Sequence, residues 1–97
     1  MDLDIIEELW QVLQDRRASP KGGSYTNALL SDEEKIFEKL REELSEIEEA
    51  VKEDRISGSG KDSLVWETSD FLYHLLVLLV AKGVELDDVL AELRRRR

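Results

Sequence analysis

Ninety-seven residues make one small domain, and a chain of that size buries only about 60 to 65 per cent of its unfolded surface on folding, so a thin core completed by subunit association is expected. A net charge of -9, from 14 basic and 23 acidic residues, repels polynucleotide backbones; the lack of cysteine removes disulfides and thiolate zinc sites and suits a reducing cytosol. No cationic leader precedes an apolar segment, and the longest apolar run, Phe71 to Ala81, is interrupted by His74 and falls well short of the roughly 20 residues that cross a bilayer, so neither secretion nor a membrane span is expected.

One proline, at position 20, and a recurring 3.6-residue apolar spacing predict an all-α antiparallel helical bundle. The first helix is predicted over Asp2 to Arg17, with Ile5, Leu9, Val12 and Leu13 inward and Asp4, Glu8, Gln11 and Asp15 opposite. Ala18 to Leu30 reads as a loop, because Ser19-Pro20-Lys21-Gly22-Gly23-Ser24 breaks helices and lets backbone approach a ligand. Ser31 and Glu34 have capping-box spacing and predict a second helix running to about Asp54, with Ile36, Leu40, Leu44, Ile47 and Val51 as its buried stripe. Ser57 to Gly60 is a flexible connector within the single domain. The third helix, about Asp62 to Lys82, is apolar on nearly every side from Leu64 onward, which predicts cover on both faces, and Gly83 suits its end. A fourth helix carries Leu86, Val89, Leu90 and Leu93 on one face. The terminal Arg94 to Arg97 read as cations at the negative end of its dipole.

The polar exceptions on the third helix carry the chemistry. Glu67, Asp70 and His74 fall within an arc of about 60° at 100° per residue, so they point the same way from an apolar helix. Two inward carboxylates need a cation opposite, since an unpaired buried charge costs several kcal/mol. The second helix offers more acid instead: Glu42, Glu43 and Glu46 sit beside its apolar stripe, with Ala50 leaving room. If the two helices pack antiparallel, five carboxylates converge, and a divalent cation relieves the repulsion; Mg²⁺ fits oxygen ligands of this kind. Glu-Glu-x-x-Glu by itself describes a solvated helix face more often than a site, whereas Glu-x-x-Asp on a buried helix competes only with ion pairing to Lys35, Lys39 or an arginine. Together they favour a metal. His74 by position is a core histidine or a hydrogen-bond partner, and Trp66 and Tyr73 are read as packing residues rather than base-stacking platforms.

Glu42-Glu43-x-x-Glu46 with Glu67-x-x-Asp70 resembles the signature of the all-α nucleoside-triphosphate pyrophosphohydrolases, the MazG-like superfamily. Within it, Arg16-Arg17-Ala18-Ser19-Pro20, Gly23-Ser24-Tyr25-Thr26 with Leu29-Leu30, Lys35-Ile36, Trp66-Glu67 through Leu79, and Gly83-Val84 through Leu93 are similar to the phosphoribosyl-ATP pyrophosphohydrolases of histidine biosynthesis over nearly the whole chain. The resemblance implies a cytoplasmic, Mg²⁺-dependent homodimer or higher homo-oligomer that splits phosphoribosyl-ATP into phosphoribosyl-AMP and pyrophosphate. For that chemistry Glu42, Glu43, Glu46, Glu67 and Asp70 are read as the metal ligands, with Glu43 or Glu46, which flank the apolar stripe, as the base. Arg16, Arg17, Lys21, Ser24, Tyr25, Thr26, Lys35, Lys39 and His74 are the candidates for contacting substrate. Arg41 and Leu44 depart from it, standing where family members usually carry glycine and alanine. Two rivals remain: a pyrophosphohydrolase of another nucleoside triphosphate, distinguished by the Ser19-Pro20 and Gly23 to Thr26 loop, and a non-catalytic acidic helical interaction module, which leaves Glu67 and Asp70 unexplained.

Overall fold

A computed structural model describes residues 1–97 as five helices without strands: α1 (Asp4–Ala18), α2 (Tyr25–Leu30), α3 (Glu33–Ser57), α4 (Lys61–Lys82) and α5 (Leu86–Arg96). The all-α expectation holds, with one helix more than predicted. Two compact units divide the chain, Met1–Glu33 with Leu76–Arg97, and Glu34–Leu75.

In the first unit, α1 begins where the Asp4 N–H donates to Asp2 Oδ1 at 2.9 Å, and Asp4 and Glu7 in its first turn with Arg16 and Arg17 in its last suit the helix dipole. Its inward face differs from the predicted one. Trp10 and Leu13 are buried while Ile5 and Val12 are exposed, at 57% and 45%. The indole removes more apolar area from water than Ile5 or Val12 can, and turns the helix toward itself.

Tyr25–Leu30, expected as loop, is helical. Ser24 caps it by accepting the Asn27 N–H, and Leu29 is fully buried beneath it. Asn27 then ties this turn down: its Oδ1 accepts the Lys21 N–H at 2.8 Å and its Nδ2 donates to Arg16 O at 2.8 Å. Ser31 does not open the next helix with a capping box. Its hydroxyl donates backward to Asn27 O and Ala28 O, closing α2, and α3 starts at Glu33.

The C-terminus of α4 ends as expected at Gly83, whose φ of +70° fits a residue without Cβ. Gly83 N–H donates to Val80 O and Val84 N–H to Leu79 O, a Schellman ending. Arg17 Nη1 adds a further bond to Val80 O at 2.8 Å. On α5, Asp87 and Asp88 lie in the first turn and Arg94, Arg95 and Arg96 in the last. Glu92 accepts hydrogen bonds from Arg95 and Arg96, which hold its carboxyl below the usual range, so the basic run is a neutralised helix end.

The second unit is the α3–α4 hairpin. Ile36, Leu40 and Ala50 are buried, but Leu44 and Val51, assigned to the stripe, are 49% and 37% exposed. Glu43 takes the inward position in their place. The hairpin closes because Gly60 is pressed against α3: a Cβ there would lie 2.2 Å from Ala50 O and 2.6 Å from Asp54 N. Lys61 Nζ reaches both Asp54 carboxylate oxygens at 3.1 Å across the same turn.

The predicted cover of α4 on both faces is not met within one chain. Val65, Trp66 and Leu72 are 69%, 70% and 46% exposed. By length and composition α4 is the one helix that could cross a membrane, although the unbroken apolar run is too short to signal it. Its burial of Leu76, Val77 and Val80 and its inward carboxylates are those of a helix packed in protein.

Replacing Gly60 by alanine should destabilise the protein by about 1–3 kcal/mol through this overpacking. Thermal melting followed by circular dichroism checks it against Gly22→Ala, where an added Cβ meets nothing and the melting point should stay in place.

Candidate metal centre

Antiparallel packing of α3 on α4 brings Glu43, Glu46 and Glu67 together, each offering a carboxylate oxygen within 4.8 Å of the others. Glu43 is 6% exposed, and Glu46 and Glu67 are half-buried. Neither Glu43 Oε2 nor Glu67 Oε2, both fully enclosed, has a hydrogen-bond partner. Buried carboxylate oxygens are ordinarily satisfied, so two orphans side by side mark a site built for a further group.

The electrostatics agree. The Glu46 carboxyl, then burial, then Glu43 push Glu67 up to about 7. Burial first, then the charge of Asp70, raise Glu43 as well. Both shifts come from burial and from neighbouring carboxylates. A divalent cation fits this donor set: hard, anionic oxygens from facing helices, with Asp70 near enough to contribute to the field at Glu43.

Glu42 is not in this group. It lies about 100° around α3 from Glu43, is exposed, and has Lys39 Nζ at 3.4 Å. Lys35 and Lys39 occupy the same flank of α3 as Glu42 and Glu46 by helical phase. His74 is 5% exposed, its Nδ1–H donates to Asp70 O at 2.8 Å, and Tyr73 meets its ring edge-on at 5.0 Å. With Nδ1 so engaged, Glu43 Oε1 at 4.0 Å is a neighbour and not an acceptor. The histidine is thus enclosed behind the carboxylates. Arg41 and Leu44, the departures from the family pattern, are both exposed and do not crowd the cluster.

The other candidates lie in the first unit. Ser24 is committed as a helix cap, Arg17 to Val80 O, and the backbone of Arg16 and Lys21 to Asn27, while Tyr25 and Thr26 open α2. Asn27 was missed by the sequence reading; its position three residues after Ser24, in an apolar-ended turn, was the available signal. A cavity of about 470 Å³ between α1 and α5 around Trp10 contains none of the cluster carboxylates.

An all-α chain whose helical hairpin gathers carboxylates within reach of one another is the class of protein that the fold and the site define. Residues 6–97 match the family model of phosphoribosyl-ATP pyrophosphohydrolase, and the chain belongs to that family. Among curated relatives, proteins called phosphoribosyl-ATP pyrophosphatase are 45% identical in Pelotomaculum thermopropionicum (97% of this chain, 92% of the relative), 44% in Lactiplantibacillus plantarum (94% and 82%) and 38% in Methanococcoides burtonii (99% and 95%).

Because Glu67 binds its proton more tightly folded than unfolded, its contribution to stability is full below about pH 4.5 and is lost as pH rises through about 7. Without divalent ions, Glu67→Gln should therefore melt increasingly above the wild type as pH goes from 5 to 8. Parallel melting curves in EDTA measure that widening gap.

Proposed function

We propose that this chain hydrolyses phosphoribosyl-ATP to phosphoribosyl-AMP and pyrophosphate in histidine biosynthesis, as a cytoplasmic, Mg²⁺-dependent homodimer. The observation that carries the reading is the pair of orphaned, buried carboxylate oxygens on Glu43 and Glu67 beside Glu46, in a chain of this family. An acidic interaction module would leave those oxygens without a purpose. Hydrolysis of another nucleoside triphosphate would use the same carboxylates, and a substrate panel separates the two.

Glu43, Glu46 and Glu67, with Asp70, would hold the ion. When bound, Mg²⁺ supplies neutralisation of phosphate oxygens and a water of lowered pKa. Glu46 stands at the half-buried rim of the cluster, where solvent reaches it, and is placed to accept the proton of a water aimed at the α-phosphorus. Glu43, behind it, is enclosed and serves as ligand. Lys35 and Lys39 lie on the Glu46 flank and bind phosphate oxygens, so the leaving pyrophosphate meets positive charge as it forms. His74 fixes the backbone of α4 at Asp70 and thereby the direction in which that carboxylate points.

Support for the dimer comes from apolar side chains that one chain leaves uncovered. Phe37, Leu44 and Val51 repeat every seven residues along one edge of α3, each at least 36% exposed.

Pyrophosphate release from phosphoribosyl-ATP should require Mg²⁺ and fall by about 100-fold or more in Glu46→Gln and Asp70→Asn, with both variants folded. Wild-type rates in either variant would end this mechanism. Mg²⁺ at about 100 times its Kd should stabilise the substrate-free protein by about 2.7 kcal/mol, and Glu43→Gln should lose most of that gain in a melting assay. Leu44→Glu should shift the sedimentation coefficient to that of a monomer.

A further inference from the structure

α5 is an 11-residue helix of which no residue is buried. A helix shorter than about 12–15 residues is marginal in water and takes its stability from the surface it packs on. Leu86 and Leu90 meet that need in part, facing Ile6 and Trp10 of α1 across an open cavity. Val89 and Leu93 do not line that cavity; they are rotated by about 60° from Leu86 and Leu90, and Leu93 is 58% exposed. Along the helix the charge changes sign from one end to the other. Glu85, Asp87 and Asp88 stand at its start and Arg94 to Arg97 at its finish, with Val89 and Leu93 between them. Glu92 pairs with Arg95 and Arg96 inside the chain, and a single carboxylate leaves most of the positive charge at this end unmatched.

We propose that α5 is a self-association surface, on which a second copy of this chain lays its own α5 in the antiparallel sense. The pattern names the occupant: a strip that runs acid, apolar, base is complementary to itself when one copy is reversed. With a two-fold axis beside Ala91, Val89 of each helix lies opposite Leu93 of the other. Arg96 and Arg97 of the second copy then fall within one turn of Glu85 and Asp88. Opposed helix dipoles favour the same arrangement, whereas parallel helices would set arginine against arginine. Two helices of this length bury less than the roughly 1,200 Å² of a standard stable interface. The pairing is therefore a concentration-dependent step, additional to association along the α3 seam and independent of the catalytic reading.

Sedimentation velocity of the whole chain tests it. The mass of the wild type should double as the protein is concentrated, and in Leu93→Glu it should not. Reversing the acidic end of the helix, by Glu85→Lys with Asp88→Lys, should abolish the doubling. Reversing the basic end in a second protein, by Arg96→Glu with Arg97→Glu, should abolish it too. An equimolar mixture of the two reversed proteins should recover the doubling, because there each end again meets its opposite. That recovery also shows that both reversed proteins are folded. A wild-type mass that does not rise, a Leu93→Glu variant that still doubles, or a mixture that behaves as its separate components would overturn the assignment. The mass at high dilution reports the α3 seam and is a separate result.

Discussion

Like charge meeting like charge across the α3–α4 hairpin is the constraint on which the site depends. Glu43, Glu46 and Glu67 converge within 4.8 Å, with Asp70 adding to the potential, and burial removes the water that would screen them. A hairpin selected for stability alone would replace these groups by apolar ones, because buried charge lowers stability unless it is compensated. Their retention is intelligible as a function that needs several hard oxygens aimed at one point. The raised affinity of Glu67 for its proton is the same repulsion expressed as chemistry.

The surrounding structure serves that convergence. Gly60 brings the start of α4 against the backbone of α3, fixing the register in which Glu43 and Glu46 face Glu67. His74, buried one turn beyond Asp70, spends its Nδ1–H on the Asp70 carbonyl and so braces the segment that bears Glu67 and Asp70. In the first unit, polar ties hold the helix ends: Asn27 fastens α2 to α1, and Arg17 joins the Schellman ending of α4 through Val80 O. Each satisfies backbone groups that a helix terminus leaves unpaired.

Both helices of the hairpin carry exposed apolar residues. Phe37, Leu44 and Val51 repeat at the interval of a helix-packing seam on α3, and Val65, Trp66 and Leu72 are exposed on α4. A chain of this length has a thin core, and an apolar seam on one edge of the hairpin is what subunit association would cover.

The sequence by itself determined the helical class, the extent of α4 and the shared direction of Glu67, Asp70 and His74, because helical periodicity and capping are local and these three interrupt an apolar surface at the spacing of one face. It could not place α2, where Leu29 must be buried by neighbours distant in sequence before six residues hold a helix, or decide whether Ser31 caps forward or closes backward. The rotation of α1 toward Trp10, the displacement of Leu44 by Glu43 on the inward face, the separation of Glu42 from the cluster and the exposure of Trp66 were likewise settled by tertiary packing. Neighbouring positions on a helix differ by about 100°, so a stripe two or three residues wide admits more than one orientation, and only the surface it meets selects among them.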